Sequence, residues 1–510
     1  MMLPRWFWIL VLLLVPSQVM AANHYIRAAA IGTADGSDWT NAYTTLPAAL
    51  TRGDVYYIAS GAYGSYLFDD AVSGVLTIEV RAATIADHGT ATGWSDAFAG
   101  VATFACASSC GVIFDIQQSY FILNGASRTS NWQSGHGLKV SNVNLNATTA
   151  AVRVGQNYIG NTWYNNITLQ FIDIDGSHAI NDTFPTEAGL QIGSGSQNVT
   201  VEYAYIHDTG GPTLFMRGPG STTDPPGAGF RFTDTILVQY SYLARNYSSV
   251  VKHAEGCSCS DGIKNLTIRY NYWFDNMGTS IFATPSGGTW QTGNQFNGPW
   301  SIYGNVLGYT QNPAYCGLGG GAIALFDVAF SGDVFFVNNT ITHMRDGGDG
   351  CPGTGTGRVI VGGINTAHAQ NIYYYNNLVW NSEPISFFQP TTGTAIMDYN
   401  AYYDETSTDD VSANKQIATG NPFTNWLANT PGSDFTPVAN TNTGLNLNTL
   451  VPGNALDMNA RARTTWTRGA FEFNGNSPPP FPDPPSGGSF LSSQRPASQA
   501  RSAAGARTSR

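Results

Sequence analysis

An eleven-residue segment that recurs eight times constrains the fold of this chain more than any other feature. Successive copies start 32, 37, 30, 34, 34, 38 and 23 residues apart. A fixed segment at irregular spacing indicates structural coils with a constant core and connecting loops of variable length. The copies begin at Asn166, Asn198, Thr235, Asn265, Pro299, Asp333, Asn371 and Thr394.

Three columns of equivalent positions in the copies predict stacked parallel strands. The alternation of apolar and polar residues within each copy is typical of a strand. The fourth position is apolar in all copies, as in Leu169 and Val201, and so is the ninth, as in Ile174 and Ile206. Amides can stack on one another only between parallel strands about 4.8 Å apart. The seventh position of the last five copies predicts such a ladder, formed by Asn271, Asn305, Asn339, Asn377 and Asn400.

Composition and a second set of apolar runs complete the prediction of fold class. Only 11% of the residues are charged and 12% are aromatic, which excludes charge-driven disorder for most of the chain. A second short apolar run follows most copies, so each coil holds two or three strands. We therefore expect an all-β, right-handed parallel β-helix, since parallel crossovers are right-handed. The second runs lie at residues 213–217, 249–253, 279–284, 322–327, 359–363 and 385–388.

The chain divides into five predicted segments. Residues 1–21 read as a signal peptide, with Arg5 followed by a ten-residue apolar run that is too short to span a bilayer. We expect an N-terminal cap and first coils over 22–110, β-helix coils over 111–403, a C-terminal capping segment over 404–475, and a disordered tail rich in Pro, Ser and Arg over 476–510. The protein is therefore expected to be secreted, with no membrane span, and monomeric.

Both ends of the repeat region resemble those of the secreted right-handed parallel β-helix proteins of the pectate-lyase-like superfamily. Residues 25–65 are similar to their N-terminal cap, in which a short helix, here Leu46 to Leu50, leads into the first coil. Residues 454–473 are similar to their closing strand. The resemblance implies an extracellular, carbohydrate-active protein. It does not choose a reaction, because the superfamily includes lyases, hydrolases, epimerases and non-catalytic proteins.

Six cysteines in an exported chain suggest disulfides. Cys316 and Cys351 fall at nearly the same place on adjacent coils, which is compatible with a bridge between them. Cys106 and Cys110 can close a small loop. The remaining pair, Cys257 and Cys259, lies four and six residues after His253, so this trio has two interpretations, a soft-metal site or disulfide pairing.

The candidate catalytic residues are Arg217, Lys252 and His253, because charged residues inside predicted strands are rare in this chain. On adjacent coils they would suit β-elimination of a uronate polysaccharide. Arg217 would clamp the carboxylate, Lys252 would act as the base, and His253 as base or acid. Residues 249–253 resemble the lysine-bearing strand of one alginate-lyase family, but residues 280–287 depart from that family's next coil. The structural alternative is ion pairing of these cations with Asp208 or Glu255.

Substrate contacts are predicted for Trp290, Tyr247, Tyr272 and Glu255, which lie in or near the long loops. No tight carboxylate cluster predicts a metal, although Ca²⁺ is common among pectate lyases and the Asp173–Asp175 pair could contribute ligands. His178 and His207 are interpreted as turn residues.

The formal charge of -11 disfavours binding to the nucleic-acid backbone, so we expect no nucleic-acid partner, and extracellular polysaccharide is the expected partner. A polysaccharide lyase is the leading prediction for function. A glycoside hydrolase on the same fold and a non-catalytic glycan-binding or surface solenoid are the alternatives.

Overall fold

The structure is a computed structural model. It describes residues 21–143, 147–155, 162–178, 188–218, 232–246, 255–260, 262–276, 278–284, 295–296, 299–308, 321–326, 329–330, 332–344, 360–364, 371–382, 394–404, 408–426 and 434–473.

The first sheet contains twelve strands, all paired in parallel with their neighbours. The eight copies of the repeated segment supply its last eight strands. The strands, in spatial order, are β1 (Asn23–Ile26), β2 (Val55–Ile58), β5 (Ile78–Ala82), β8 (Phe121–Asn124), β11 (Tyr164–Gln170), β14 (Ser196–Glu202), β17 (Thr233–Gln239), β20 (Ile263–Arg269), β24 (Trp300–Tyr303), β28 (Val334–Val337), β31 (Asn371–Tyr375) and β33 (Thr394–Asp398).

The second sheet also has twelve parallel strands, and most follow a first-sheet strand after a tight corner. They are β3 (Gly61–Tyr63), β6 (Ala102–Phe104), β9 (Leu138–Ser141), β12 (Ile172–Asp175), β15 (Tyr205–Thr209), β18 (Tyr242–Asn246), β21 (Tyr272–Asn276), β25 (Val306–Gly308), β29 (Thr340–Thr342), β32 (Leu378–Trp380), β34 (Ala401–Tyr403) and β35 (Gln416–Ala418).

The third sheet has nine parallel strands in the described part of the chain. They are β4 (Tyr66–Phe68), β7 (Cys110–Ile116), β10 (Ala147–Val154), β13 (Ala188–Ile192), β16 (Leu214–Arg217), β19 (Cys257–Ser260), β22 (Ile281–Thr284), β26 (Ile323–Phe326) and β30 (Ile360–Ile364). Two small sheets pair β23 (Gln295–Phe296) with β27 (Ala329–Phe330), and β36 (Phe423–Asn425) with β37 (Asp434–Pro437). Three long parallel sheets wound by one chain confirm the expected parallel β-helix.

The register of the sheets confirms both apolar columns. Leu169 pairs with Val201 and Val201 with Val238, and the fourth positions continue in line to Met397. The ninth positions pair in the same way from Ile174 to Tyr402. Most of these side chains are fully buried and belong to one continuous hydrophobic core.

The predicted asparagine ladder is present and fully buried. Each Nδ2 donates to the Oδ1 of the next amide, at 3.1, 3.0, 3.3 and 3.1 Å along the five residues. Each Nδ2 also donates to a backbone carbonyl, as Asn305 does to Ile268 at 3.0 Å. The Oδ1 of Asn271 accepts the backbone N–H of Ser241, and the last amide, Asn400, donates to the carboxylate of Asp410.

The two ends differ from expectation in one respect. No helix occurs over Leu46 to Leu50; among the described residues the one helix is a short 3-10 turn at Asp96–Phe98. The Leu50 N–H instead donates to Asp70 Oδ1 at 2.7 Å.

The C-terminal segment lies along the side of the coils. Its backbone accepts the Tyr270 hydroxyl proton at Leu456, and Arg468 donates to the carbonyl of Asn400.

The structure describes four of the six cysteines. A disulfide joins Cys106 and Cys110. Cys257 and Cys259 are both buried free thiols, with their sulfurs 3.0 Å apart. Cys316 and Cys351 lie outside the described residues, so their bridge stays a prediction.

Candidate active site

A cluster of charged side chains lies on the outer face of the second sheet, across β9, β12, β15 and β18. Strand alternation places it there, because the intervening Leu138, Ile174 and Ile206 point into the core and are fully buried. We name this group the charged cluster. It consists of Lys139, Asp173, Asp175, His207, Asp208 and Arg245.

His207 is the centre of the charged cluster. Its Nε2 lies 2.9 Å from Asp173 Oδ1, and its Nδ1 lies 2.5 Å from Asp208 Oδ2. An ionised carboxylate only accepts hydrogen bonds, so both ring nitrogens donate and the ring is an imidazolium. Burial opposes that charge, but the hydrogen bonds to Asp173 and Asp208 outweigh burial and raise the pKa of His207.

Arg245 and Lys139 close the charged cluster on either side. Arg245 holds Asp208 through two parallel hydrogen bonds, Nε to Oδ1 and Nη2 to Oδ2, both 2.7 Å. Its Nη2 also donates to the Tyr205 hydroxyl at 2.6 Å. Lys139 Nζ lies 2.8 Å from Asp175 Oδ2 and 3.6 Å from Asp173 Oδ2. About a quarter of each cation's side chain is exposed, 23% for Arg245 and 27% for Lys139.

The pKa shifts in the charged cluster all favour charged groups. Burial works against ionisation of Asp173 and Asp208, but hydrogen bonds from His207 and, for Asp208, from Arg245 lower the pKa of both carboxyls. Burial likewise opposes the charge of Lys139, and the neighbouring Asp173 and Asp175 raise its pKa. With three cations and three carboxylates, the cluster is electrically balanced.

His136 lies beside the charged cluster and has the opposite character. It is 2% exposed, its Nε2 bonds the carbonyl of Tyr203 at 3.1 Å, and its Nδ1 has no hydrogen-bond partner among the described residues. Burial lowers the pKa of His136 to about 4, although the charge of Asp173 acts in the other direction. His136 is therefore a neutral imidazole next to a charged one.

The ligand atoms of Asp175, His207 and Asp208 lie within 4.8 Å of one another, so this group was tested as a metal site. Ca²⁺ prefers six to eight oxygen ligands. Here one of the three is an imidazole, and the two carboxylates already pair with Lys139 and Arg245. The charged cluster therefore does not fit Ca²⁺.

The structure corrects the expected neighbours of Arg217. Its strand β16 pairs with Cys257–Ser260, and Arg217 itself pairs with Ser260, not with residues 252 or 253. The sequence places a strand at the apolar run 249–253, whereas the third-sheet strand of that coil begins at Cys257, four residues after the end of the run. Lys252 and His253 lie outside the described residues, so their catalytic roles stay predictions.

The chain that carries Lys252 and His253 is nevertheless anchored at the charged cluster. Residues 247–254 connect Asn246, the neighbour of Arg245, to Glu255. Asn246 Nδ2 donates to the carbonyl of Glu255 at 2.6 Å, so the two ends of this stretch are tied together. The stretch 247–254, which carries Lys252 and His253, therefore begins two residues after Arg245 in the sequence.

The predicted substrate contacts are placed less favourably. Tyr272 is only 5% exposed and packs against Trp132 and Phe435, with ring centroids 4.9 and 6.2 Å away. This burial leaves no open ring face for a sugar. Glu255 is also buried, and Tyr247 and Trp290 lie outside the described residues.

Lys139 and Arg245 were not singled out from the sequence, and the other four members were not brought together, although a signal was present. Position ten of the first two copies is Asp175 and His207, and position eleven of the second and third is Asp208 and Arg245. These outward positions follow the buried ninth column directly. His207 was interpreted as a turn residue, whereas it lies within β15.

Comparison with known proteins finds similarity of fold. No family model matches the chain, and no curated protein matches it. Among solved structures, it is similar to pectate lyase Pel9A, with 15% identity over 89% of this chain and 97% of that one and a TM-score of 0.45. A rhamnogalacturonan lyase is 14% identical over 79% and 85%, with a TM-score of 0.31.

A third similar structure is the PL6-family alginate lyase AlyGC, 13% identical over 76% of this chain and 53% of that one, with a TM-score of 0.33. The three long parallel sheets confirm the fold implied by the resemblance noted in the sequence. Within the described residues, no helix is long and apolar enough to cross a membrane.

Proposed function

We propose that the protein is a polysaccharide lyase that cleaves a uronate-containing polysaccharide by β-elimination. The observation that supports this most is the charged cluster. It keeps Lys139, His207 and Arg245 positively charged on the outer face of the β-helix, at the anchor of the stretch that carries Lys252 and His253.

The proposed reaction assigns one task to each kind of group. The exposed edges of Arg245 and Lys139 neutralise the sugar carboxylate, which acidifies the adjacent C5 proton. Lys252 or His253 removes that proton, the C5–H electrons form the C4=C5 double bond, and the C4–O bond breaks. His207, held as an imidazolium, supplies a proton toward the departing oxygen directly or through water.

A glycoside hydrolase is less well supported by the same geometry. Hydrolysis needs one carboxylic acid that stays protonated at the working pH, which requires a raised pKa. In the charged cluster the pKa shifts of Asp173 and Asp208 are both downward. The groups that hold a proton are instead nitrogen cations, which suits elimination.

Arg217 has a different place in this proposal from the one expected. It ends β16, whereas the Lys252–His253 stretch precedes β19 in the neighbouring coil. Arg217 pairs with Ser260 at the end of β19, about 10 Å along the strand from Cys257, where β19 begins. We therefore assign the carboxylate-binding task to Arg245 and leave Arg217 a contact with more distant sugars.

The test is the ultraviolet absorbance of the unsaturated product during incubation with alginate, pectate and other uronate polymers. We expect activity on at least one polymer, and its loss in Lys252→Ala and Arg245→Ala. Arg153→Ala is the matched control, because Arg153 makes the same two-point pair with Asp115, at 3.0 and 2.6 Å, on the third sheet.

Other outcomes separate the alternatives. New reducing ends without the unsaturated product would mean hydrolysis. Retained binding with neither product would mean a non-catalytic glycan-binding solenoid. Full activity in both Lys252→Ala and Arg245→Ala would refute the residue assignment while leaving the reaction intact.

Export is part of the same proposal. The apolar run after Arg5 and the small residues at 19–21 support cleavage after Ala21. The mass of the protein recovered from the extracellular or periplasmic fraction should correspond to a chain that begins at Ala22. A full-length chain retained in the cytoplasm would contradict export.

A further inference from the structure

A column of polar residues leads away from the charged cluster along the stack. Its members occupy the fourth position counted from the start of a second-sheet strand, in six coils of the stack. All have left-handed backbone φ values between 47° and 55°. This repeated conformation places the members at the same corner of their coils. The described members are Asp208, Arg245, Asp275, His343, Asn381 and Asp404.

An aromatic group lies on this column at its far end. The rings of Trp426 and His343 stack with centroids 4.1 Å apart and planes 2° from parallel. Trp380 meets Trp426 edge-on at 5.1 Å, and its indole N–H donates to Asp404 Oδ2 at 3.2 Å. We name Trp426, His343, Trp380 and Asp404 the distal aromatic group.

The ring beneath Trp426 is fixed in place. His343 Nε2 lies 2.9 Å from the Asn381 amide nitrogen, which only donates, so Nε2 accepts. Its Nδ1 then carries the proton and donates to the Thr342 hydroxyl at 2.6 Å. His343 is 2% exposed, and these hydrogen bonds hold its ring in the orientation that stacks on Trp426.

Trp426 itself is amphipathic and open on part of its surface. It is partly exposed, and its indole N–H has no hydrogen-bond partner among the described residues. Asp404 beside it is exposed, and among the described residues its carboxylate accepts the Trp380 N–H and, at 2.7 Å, the Gly420 N–H, with no third donor. A carboxylate has about four acceptor sites, so others remain for ligand hydroxyls.

We propose that the distal aromatic group is a sugar-binding subsite for a pyranose unit of the same polysaccharide. The C–H face of the sugar stacks on Trp426, and its hydroxyls bond the indole N–H and Asp404. Because Asp404 is negative, this subsite binds sugar hydroxyls, whereas the charged cluster binds the sugar carboxylate. The inference rests on the proposed function, since it takes a polysaccharide as the ligand.

The distance between the two sites sets the substrate length that the proposal requires. Arg245 in the β18 coil and His343 after the β29 coil are three coil steps apart. At about 4.8 Å per step, this is roughly 14 Å along the stack. A polysaccharide running along the column therefore reaches both sites only when it extends several sugars beyond the cleaved bond.

The test compares long and short substrates in variants of Trp426. For Trp426→Ala we expect KM on the polymer to rise about 3- to 10-fold, the range set by the loss of one aromatic stacking contact, with kcat unchanged. Short oligosaccharides that occupy only the charged cluster should show no change. Trp426→Phe keeps a ring and should recover most of the affinity.

Trp94→Ala is the matched control for loss of packing. Trp94 also stacks on a histidine, His88, at 4.1 Å and 6°, and it is also partly exposed, but it lies near the N-terminal end. Equal KM changes for long and short substrates, no change at all, or the same change in Trp94→Ala would overturn the subsite.

A second measurement separates failure of the subsite from failure of the proposed function. Retardation of the protein in a gel that contains the polysaccharide reports binding without turnover. Loss of retardation in Trp426→Ala, in a chain that cleaves nothing, would keep the subsite and refute the lyase. Unchanged retardation in Trp426→Ala, or none in the unaltered chain, would refute the subsite.

Discussion

Replacing Asn305 by alanine removes the second amide of the five-residue ladder. Its Oδ1 accepts the backbone N–H and Nδ2 of Asn271 at 3.0 and 3.1 Å. Its Nδ2 donates to Asn339 Oδ1 and to the Ile268 carbonyl, both at 3.0 Å. The site is fully buried, so no water replaces these partners and the Asn271 N–H loses its acceptor.

Four hydrogen bonds at a net value of about 1 kcal/mol each give a loss of about 4 kcal/mol in the free energy of unfolding. With an unfolding entropy of about 2.1 cal/mol/K per residue over several hundred ordered residues, this corresponds to a fall of roughly 4 to 6 °C in Tm.

Calorimetry or circular dichroism during heating measures this change. Asn414→Ala is the control, because Asn414 is exposed and donates one hydrogen bond, to Asp398 at 2.9 Å. We expect less than about 1 °C from the control. If Asn305→Ala lowers Tm no more than Asn414→Ala does, the ladder does not stabilise the stack and this reasoning is wrong.

Three further predictions concern charged groups. The pKa of His207 is raised in the folded chain, so its pairs with Asp173 and Asp208 stabilise the fold fully below the unfolded pKa of about 6.5. This stabilisation is lost as pH rises through the raised pKa. The difference in Tm between the unaltered chain and His207→Gln should therefore shrink as pH rises. The lowered pKa of Asp208 acts oppositely, so Asp208→Asn should destabilise above about pH 4 and match the unaltered chain once acid has protonated Asp208. Glu472→Ala removes the acceptor of three backbone N–H groups and one hydroxyl, and it removes the carboxylate that pairs with the buried Arg463. This variant should show increased protease cleavage after residue 434 without a change in the ladder coils.

The fold was predictable because the repeated segment determines the register of the strands. Aligning the eight copies places Leu169 on Val201 and Ile174 on Ile206, which is the pairing that the sheets show. A one-residue slip would turn every apolar residue outward, so burial of both columns admits a single alignment. The amide at position seven fixes the same register independently through Asn271.

The charged cluster was less predictable because five of its members occupy positions eight, ten and eleven of the copies, where the residue type changes from copy to copy. Lys139 lies in a coil before the first copy, so alignment of the copies does not place it. Arg217 was matched to Lys252 by counting from apolar runs, and the ten residues between β18 and β19 make that count ambiguous. Loops of unequal length preserve the register of strands only where the strand itself has a recognisable motif.

The five stacked amides all point the same way, N–H ahead and C=O behind, so their dipoles add along the axis of the stack. The leading N–H end, at Asn400, meets the buried carboxylate of Asp410, which also accepts the hydroxyl proton of Tyr402 at 2.7 Å. An anion there complements the positive end of the row, as an acidic residue does at the N-terminus of a helix. The interior of the five coils that carry the row is therefore electrically polar along the stack, and a row extended by extra coils would need its terminal carboxylate moved with it.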